Sequence, residues 1–480
     1  MISPKQVADK LKITPAISDK MQNAIEEWYN MYVNKLQYDE EGNKIHTLNL
    51  PYTIADEKSR LATLELKSEV FDPNAEETKE GTRAYYLNEQ YQLLTRKIRH
   101  KLTPAIAMGT MAIKPVPNIE DNTFSYDYVL ANEFYPISFN DKGKLIHCVF
   151  VEQIVKKNVT YTRFETHELK GGTITVKNEA YKSQANGSDI NSRVNLDEVS
   201  EWANLEPQVT ITSTNGIKLD RLLVATFIMP NANNIDIHSK MGVSGYANAV
   251  DLIKNANDIY SSLMWEMQGG ELAIDSPRDT LKVQYDKKGN PVTILPKHEK
   301  RLFREVNISS SSGDDLYNVF NPALRDGNYL NVLTNILMNI EDNVGLARGT
   351  LSRVDVIAKT ATEIKSSKQK TFQTNKAIQE SLQQTLEDII YILDIYTSLY
   401  NLAPQGEYDS KFEWDDSILV DVENELKQKQ ALVGMGVLMP EELRAWYNEI
   451  DLEKAFQEVQ AYNELKAQYN PEPVEDETIV

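Results

Sequence analysis

The sequence predicts an α+β chain, and three observations predict it. Through the first hundred residues apolar side chains recur every three or four positions, the helical period. From about Ala105 to Met229 the period falls to two and the residues become β-branched or aromatic. After Pro230 the helical period returns and culminates in about forty residues without Gly or Pro, from Ala361 to Tyr400.

In the first third, Ile17, Met21, Ile25 and Trp28 mark a helix that Ser18 caps. A second helix follows Pro51, with Ile54, Leu61, Leu64 and Leu66 broadly on one side. A third runs from Thr82 to about Lys101 and stops ahead of Pro104, because proline disfavours the helical state of the residue before it. Strand patterns follow at Phe124/Tyr126/Tyr128, Cys148/Val149/Phe150 and Val159/Tyr161. Turn chemistry separates them at Asp141-Lys142-Gly143 and Lys170-Gly171-Gly172. The Ser- and Asn-rich stretch Asn178–Val199 reads as an exposed loop. Val209, Ile211, Leu222, Val224 and Phe227 read as later strands.

Past Pro230, Ser244 is positioned to cap a helix carrying Ala249, Ile253, Ala256, Tyr260, Leu263 and Met267, which ends at Gly269-Gly270. A short β module comes next, in which Leu281, Val283 and Tyr285 oppose Val292 and Ile294 across Asp286–Asn290. A second helix begins near Asp326, with Leu330, Leu333, Ile336, Leu337, Ile340 and Val344 on one face. Its other face is amide-rich: Asn331, Asn335, Asn339 and Asn343. Two helices bracketing an insertion bring the chain back near where it left; an ordinary helical hairpin in a globular core fits the same spacing.

The loop Gly345–Arg353 then feeds a sharply defined helix start. Lys359-Thr360-Ala361-Thr362-Glu363 fits a capping box, with Thr360 and Glu363 as the reciprocal pair. The helix it opens is roughly 60 Å long at about 1.5 Å per residue. Its first half is polar and cationic (Lys365, Lys368, Lys370, Lys376). Its second half buries a face of Ile378, Leu382, Leu386, Ile389, Leu393, Tyr396 and Tyr400. Such a helix is too long for one small core. The uncharged run Gln430–Pro440 precedes a Glu/Leu/Tyr-rich helix from Glu441 to Gln468, and the end from Asn470 reads as a disordered acidic tail.

Composition bounds the function. The chain has 480 residues and a formal charge of −20, which argues against gripping nucleic acid over its whole surface. Residues 401–480 alone hold nineteen Asp/Glu against six Lys/Arg. Residues 278–304 run the other way, with eight Lys/Arg against three acidic residues. The single cysteine, Cys148, excludes an intrachain disulfide and any cysteine-based metal cluster. No apolar run reaches the length of a membrane span, and the N-terminus lacks a signal-peptide pattern.

Catalytic and cofactor motifs are missing. The Gly345–Gly349 loop lacks the Gly-Lys-Thr of a phosphate-cradling P-loop. His167-Glu168 begins like a zinc-hydrolase helix, yet position 171 is Gly where the second His belongs. His147 and Cys148 are neighbours in a strand, so they face opposite ways and form no nucleophile–base pair. Six scattered histidines offer no metal site, and Asp314-Asp315 and Asp415-Asp416 read as solvent-facing dyads. The sequence predicts no enzyme, cofactor or metal.

The order of elements and several strings nevertheless resemble the portal proteins of tailed double-stranded DNA bacteriophages, those with siphovirus-like tails above all. The strings are Leu48–Ala55, Met241–Ala247, Asp258–Glu266, Lys359–Glu363 and Ala431–Glu442, in the expected order along nearly the whole chain. The resemblance implies a homo-oligomeric ring, typically of twelve subunits, at one capsid vertex. Residues 1–240 would form the wing, completed by 359–420. Residues 241–268 and 326–346 would form the stem, 269–325 the clip, 347–358 the tunnel loop and 421–480 the crown. It implies that the ring nucleates head assembly with capsid and scaffolding proteins, docks the terminase large subunit, passes double-stranded DNA and holds a head–tail adaptor. The ring would be built in the host cytoplasm and kept in the virion. Arg348, Arg353 and Lys359 would then lie on the DNA-facing loop, and Lys287, Lys288, Lys297, Lys300, Arg301 and Arg304 on a clip surface for terminase or adaptor. The alternative from the residues alone is a monomeric nucleic-acid-binding or scaffold protein, or another head–tail component.

Overall fold

The computed structural model describes residues 2–38, 42–184, 190–212, 219–270, 273–277, 282–285, 287–294, 303–306, 318–352, 361–414, 422–448 and 450–469. The chain divides into two compact units, 1–414 and 415–480. In the first, α1 (Pro4–Leu11) starts on a capping box in which the Ser3 hydroxyl accepts from the Gln6 N–H and the Gln6 side chain accepts from the Ser3 N–H. Helix α2 (Asp19–Tyr32) is capped by Ser18 as its sequence predicts and buries Met21, Ile25 and Trp28. Helix α3 (Leu50–Thr63) ends earlier than its apolar spacing suggests, and Leu66 opens a strand, β1 (Leu66–Phe71).

Helix α4 (Arg83–Met108) corrects the expectation about Pro104, which lies inside it. Leu102, Ala105, Ile106, Ala107 and Met108 are all buried, so tertiary packing outweighs the hydrogen bond that proline removes. Gly109, at φ +79°, ends the helix instead. An added Cβ there would overlap the backbone of Gly242, and one on Gly242 would overlap Gly109, so the two glycines let this corner meet the 241–246 turn. The Gly245 N–H donates to Ile106 O at 2.8 Å, and the Tyr246 hydroxyl donates to Trp28 O at 2.8 Å. Lys58 of α3 is buried in the same corner and donates to Gly245 O at 2.9 Å.

Among the described residues, nine strands lie between 110 and 228. They are β2 (Thr110–Asn118), β3 (Thr123–Leu130), β4 (Phe134–Phe139), β5 (Leu145–Lys156), β6 (Val159–Lys170), β7 (Thr173–Gln184), β8 (Ser192–Val194), β9 (Gln208–Thr212) and β10 (Ala225–Ile228). One sheet has the order β10-β2-β3; a six-stranded antiparallel sheet runs β4 to β8, with β9 also on β7. The expected loop from Asn178 is corrected here. Asn178 is a buried strand residue whose amide donates to Glu206 O and accepts from Arg163 Nη1, both at 2.9 Å. Local composition favoured a turn, but these cross-strand partners hold it extended. Between the sheets, Lys114 Nζ sits 2.9 Å from both Glu165 carboxylate oxygens, with Arg163 and His167 alongside. Burial opposes ionisation of Glu165, yet His167, Lys114 and Arg163 outweigh it and hold its pKa below the usual carboxylate range. On β5, Cys148 is fully buried, and burial pushes its thiol pKa up.

The chain then forms α5 (Val250–Gly269), β11 (Ala273–Pro277), β12 (Lys282–Tyr285), β13 (Pro291–Ile294), β14 (Phe303–Val306), β15 (Asn318–Phe320), α6 (Asp326–Val344), α7 (Ala361–Tyr400) and β16 (Asp409–Trp414). Ser244 does not cap α5; its hydroxyl accepts from Tyr246 inside the buried turn, and a single 3₁₀ turn leads into the helix. The predicted hairpin is present as β12–β13, but its register is corrected: Val283 lies opposite Thr293, and Val292 and Ile294 lie opposite Gln284 and Lys282, so the expected apolar pairs do not oppose each other. Strand β11 pairs in parallel with β14 and antiparallel with β15. Thr360, the expected α7 cap, lies outside the described residues. The apolar face of α7 is buried from Ile378 to Ile395, and Thr371 and Asn375 ahead of it are buried as well. Three cations anchor the helix. Arg83 bonds Asp394 at 2.5 Å, and Lys144 and Arg221 each bond Asp388 at 2.8 Å. Strand β16 returns to pair antiparallel with β1, Trp414 opposite Leu66.

The second unit contains α8 (Val422–Gly434), α9 (Pro440–Asn448) and α10 (Leu452–Tyr469). The single helix expected over 441–468 is two: the Ile450 N–H donates to Ala445 O, closing α9, and Asp451 O accepts from Ala455 N as α10 begins. Arg444 and Glu458 tie these helices at 3.0 Å. Residues 470–480 lie outside the described residues.

Lys58 carries a pH signature. Burial pushes its pKa down to about 7, so between pH 7 and its ordinary value of 10.5 the unfolded chain holds a proton that the folded chain does not. Its contribution therefore disfavours the fold fully below pH 7 and is relieved as pH rises. Thermal or urea unfolding at stepped pH should show wild type gaining about 2–3 kcal/mol over Lys58→Met between pH 7 and 9. Parallel curves for the two proteins would refute the assignment.

Candidate functional site

Helices α5 and α6 form an antiparallel pair whose open ends meet. Arg325, just ahead of α6, donates to Glu266 near the end of α5 at 2.7 Å. Ile253, Ala256 and Leu263 of one helix and Leu333, Ile340 and Val344 of the other are buried. Elsewhere the pair is bare of cover: Trp265 is 70 % exposed, and Met267, Leu330 and Val332 are exposed too. The amide stripe Asn331, Asn335, Asn339 and Asn343 is exposed along its length, as its spacing predicts.

Where α6 ends, Glu341 organises the loop that follows. Its carboxylate is 0 % exposed, and no cation pairs with it among the described residues. It accepts from Gly349 N at 3.1 Å, Leu351 N at 2.5 Å, Ser352 N at 2.8 Å and Ser352 Oγ at 2.9 Å. Burying a carboxylate without a counter-ion is tolerable only when its lone pairs are satisfied in this way. The negative end of the helix dipole opposes an acid in the last turn, so the loop donors also offset that cost. Gly345 turns the chain at φ +76°, and an added Cβ would overlap the Thr374 hydroxyl of α7.

Of the expected loop cations, Arg348 is described and is held by Asp342 at 2.7 Å; Lys370 of α7 donates to the carbonyl of the same Asp342. Arg353 and Lys359 lie outside the described residues. Of the module cations, Lys287 and Lys288 are exposed on the β12–β13 turn. Arg304 lies on β14, its backbone opposite Asp275 of β11. Lys297, Lys300 and Arg301 lie outside the described residues, as do both Asp dyads. Among the described residues no group of three or more His, Cys, Asp or Glu is placed to hold a metal ion, and no helix is long and apolar enough to cross a membrane. Sequence reasoning passed over Glu341. Its signal was an acid on the stripe Leu337, Glu341, Val344, where α6 is otherwise apolar.

A family model described as phage portal protein, SPP1 Gp6-like, matches residues 12–472. The chain belongs to that family. Portal proteins are a structural family, not an enzyme family, and are components of the capsid vertex. No curated protein matches the sequence. Among solved structures, a chain from the neck of an empty GTA particle, computed with C6 symmetry, is similar at 10% identity, covering 82% of this chain and 88% of that one with a TM-score of 0.38. A chain from the neck of a native GTA particle, computed with C12 symmetry, is 10% identical, with 87% and 98% covered and a TM-score of 0.33.

The Glu341 cage makes a local prediction for this portal chain. Glu341→Ala leaves the Leu351 and Ser352 N–H groups unpaired and the Gly349 N–H with only the Ser352 hydroxyl, at about 1–3 kcal/mol for each unpaired group that stays buried. Hydrogen exchange at those three amides should speed by at least about tenfold, with α5 unaffected. Unchanged exchange there would mean something other than Glu341 holds the loop.

Proposed function

We propose that this chain is the repeating subunit of a portal ring, typically twelve copies, that serves as the DNA conduit of a tailed-phage head. The observation that carries this is the family match over residues 12–472. In this reading α5 and α6 are the stem, strands β11–β15 the clip, the loop after Gly345 the tunnel loop, and α8–α10 with the following tail the crown. Residues 1–240, with α7 and β16, make the wing. The uncovered Trp265, Met267, Leu330 and Val332 suit contacts between neighbouring stems, since large apolar side chains grouped on a surface mark a docking face.

The asparagine stripe on α6 suits the channel side. Uncharged amides neither repel phosphates nor bind them tightly, which a conduit requires. Arg348, neutralised by Asp342, would shape the loop, leaving Arg353 and Lys359 as its DNA-facing cations. Lys287, Lys288 and the other clip cations would meet an acidic surface on the terminase large subunit or a head–tail adaptor. The ring would assemble with capsid and scaffolding proteins in the host cytoplasm, then serve packaging, retention and ejection of the genome.

Native mass measurement of the purified chain tests the ring. A species near twelve subunits with a central hole in negative stain is expected, and Trp265→Asp should leave a folded monomer. A wild-type chain that stays monomeric at every concentration and in the presence of capsid and scaffolding proteins would end this reading. Charge reversal of Lys287 and Lys288 should weaken terminase or adaptor binding by about tenfold without altering ring mass; equal binding would remove the clip cations from that role.

A further inference from the structure

Most of the described arginines of this chain are ion-paired. Fourteen occur in the sequence, and apart from Arg278, Arg301, Arg304 and Arg353 their side chains are described. Eight of those ten form an ion pair with a carboxylate, among them Arg83 with Asp394 and Arg163 with Glu152. The two exceptions, Arg96 and Arg99, lie within less than two turns of α4 with Lys97, His100 and Lys101. These are five basic side chains in six residues, and none has a carboxylate partner among the described residues. Lys101 lies over the Tyr128 ring at 4.8 Å, and Ile98 alone turns into the core.

Arg96 and His100 are four apart, as are Lys97 and Lys101, so basic side chains stand beside one another over about 7.5 Å of helix, on every side but the one Ile98 turns to the core. Like charges at that spacing destabilise an isolated helix by a few tenths of a kcal/mol per pair. In a chain with twenty excess negative charges, carboxylates to relieve them are plentiful, yet none has been placed here. Arg96, Lys97 and His100 are exposed, so the centre of the patch is itself charged. A protein interface keeps its centre apolar and its charges at the rim. Double-stranded DNA instead presents a line of phosphates, about one charge per 1.7 Å of axis.

We propose that this stretch of α4 is a phosphate-binding surface for double-stranded DNA, separate from the α5–α6 hairpin and its loop. It rests on the portal reading for the source of the DNA. The contact reads no sequence, because it consists of backbone cations with no base-reading element, and it is strongly salt-dependent. The surrounding acidic surface keeps it local and weak, which lets DNA lie against the protein without arresting its movement.

The test uses the full-length chain and a fluorescent duplex of about 30 base pairs, followed by anisotropy from about 50 to 200 mM salt. Replacing Arg96, Lys97, Arg99 and Lys101 together with Gln should cost about tenfold or more in affinity at the low-salt end and flatten the salt slope by about 2–3. Arg96→Lys with Arg99→Lys should retain binding, which separates lost charge from misfolding. Two unrelated duplex sequences should bind alike. Equal affinity of the Gln variant, or no wild-type binding at low salt, overturns the proposal. So does a Gln variant that loses ring assembly while keeping its DNA affinity, because the stretch would then be a subunit contact. Affinity is read whether or not rings form, so a monomeric wild type that binds through this stretch would sink the ring and leave the surface standing.

Discussion

A carboxylate with no counter-ion among the described residues holds the loop after α6 in place. Glu341 lies in the last turn of α6, fully buried, at the helix terminus least hospitable to an acid. Water is excluded, so its charge must be met by fixed dipoles, and the loop supplies them from Gly349, Leu351 and Ser352. The dependence runs both ways. Without the loop wrapped around it the acid would be intolerable; without the acid the Leu351 and Ser352 donors would be orphaned. The start of the loop is therefore part of the folded body, continuous with α6 and pressed against α7 through Gly345 and Thr374.

Charge elsewhere follows a consistent division of labour. Interior cations are structural: Lys114 bridges two sheets through Glu165, Arg83 binds the start of α4 to the end of α7, and Lys144 and Arg221 converge on Asp388. Breaking such a pair leaves an uncompensated buried charge, so these contacts fix geometry even where their net contribution to stability is small. Against that background the unpaired basic stretch of α4 stands out as charge kept for something outside the chain.

Much of the fold was legible because its elements are long and strongly periodic. The forty-residue α7, the presence of the β12–β13 hairpin and the start of α6 follow directly from spacing and turn chemistry. The failures share a cause, namely that contacts distant in sequence overrode local preference. Burial of residues 102–108 carried α4 through Pro104, and Arg163 and Glu206 straightened the polar stretch at Asn178. The string Met241–Ala247, weak as a pattern, has a plain physical content: Gly242 meets the backbone of Gly109, and Ser244 and Tyr246 are buried in the turn. The site was less legible than the fold. Sequence pointed to cations such as Arg348, whereas the loop is organised by an anion, and an acid's burial depends on partners ten residues away that no helical period reveals.

The Glu266–Arg325 clasp has a consequence for how this architecture changes over time. It joins the last turn of α5 to the residue that opens α6, so the excursion between them leaves and returns through one narrow neck. The helices are registered by their own packing and by that clasp. Substitutions, insertions or wholesale exchange of the module then need only preserve the two residues at its mouth. A lineage can thus remodel this module while inheriting the helical pair unchanged.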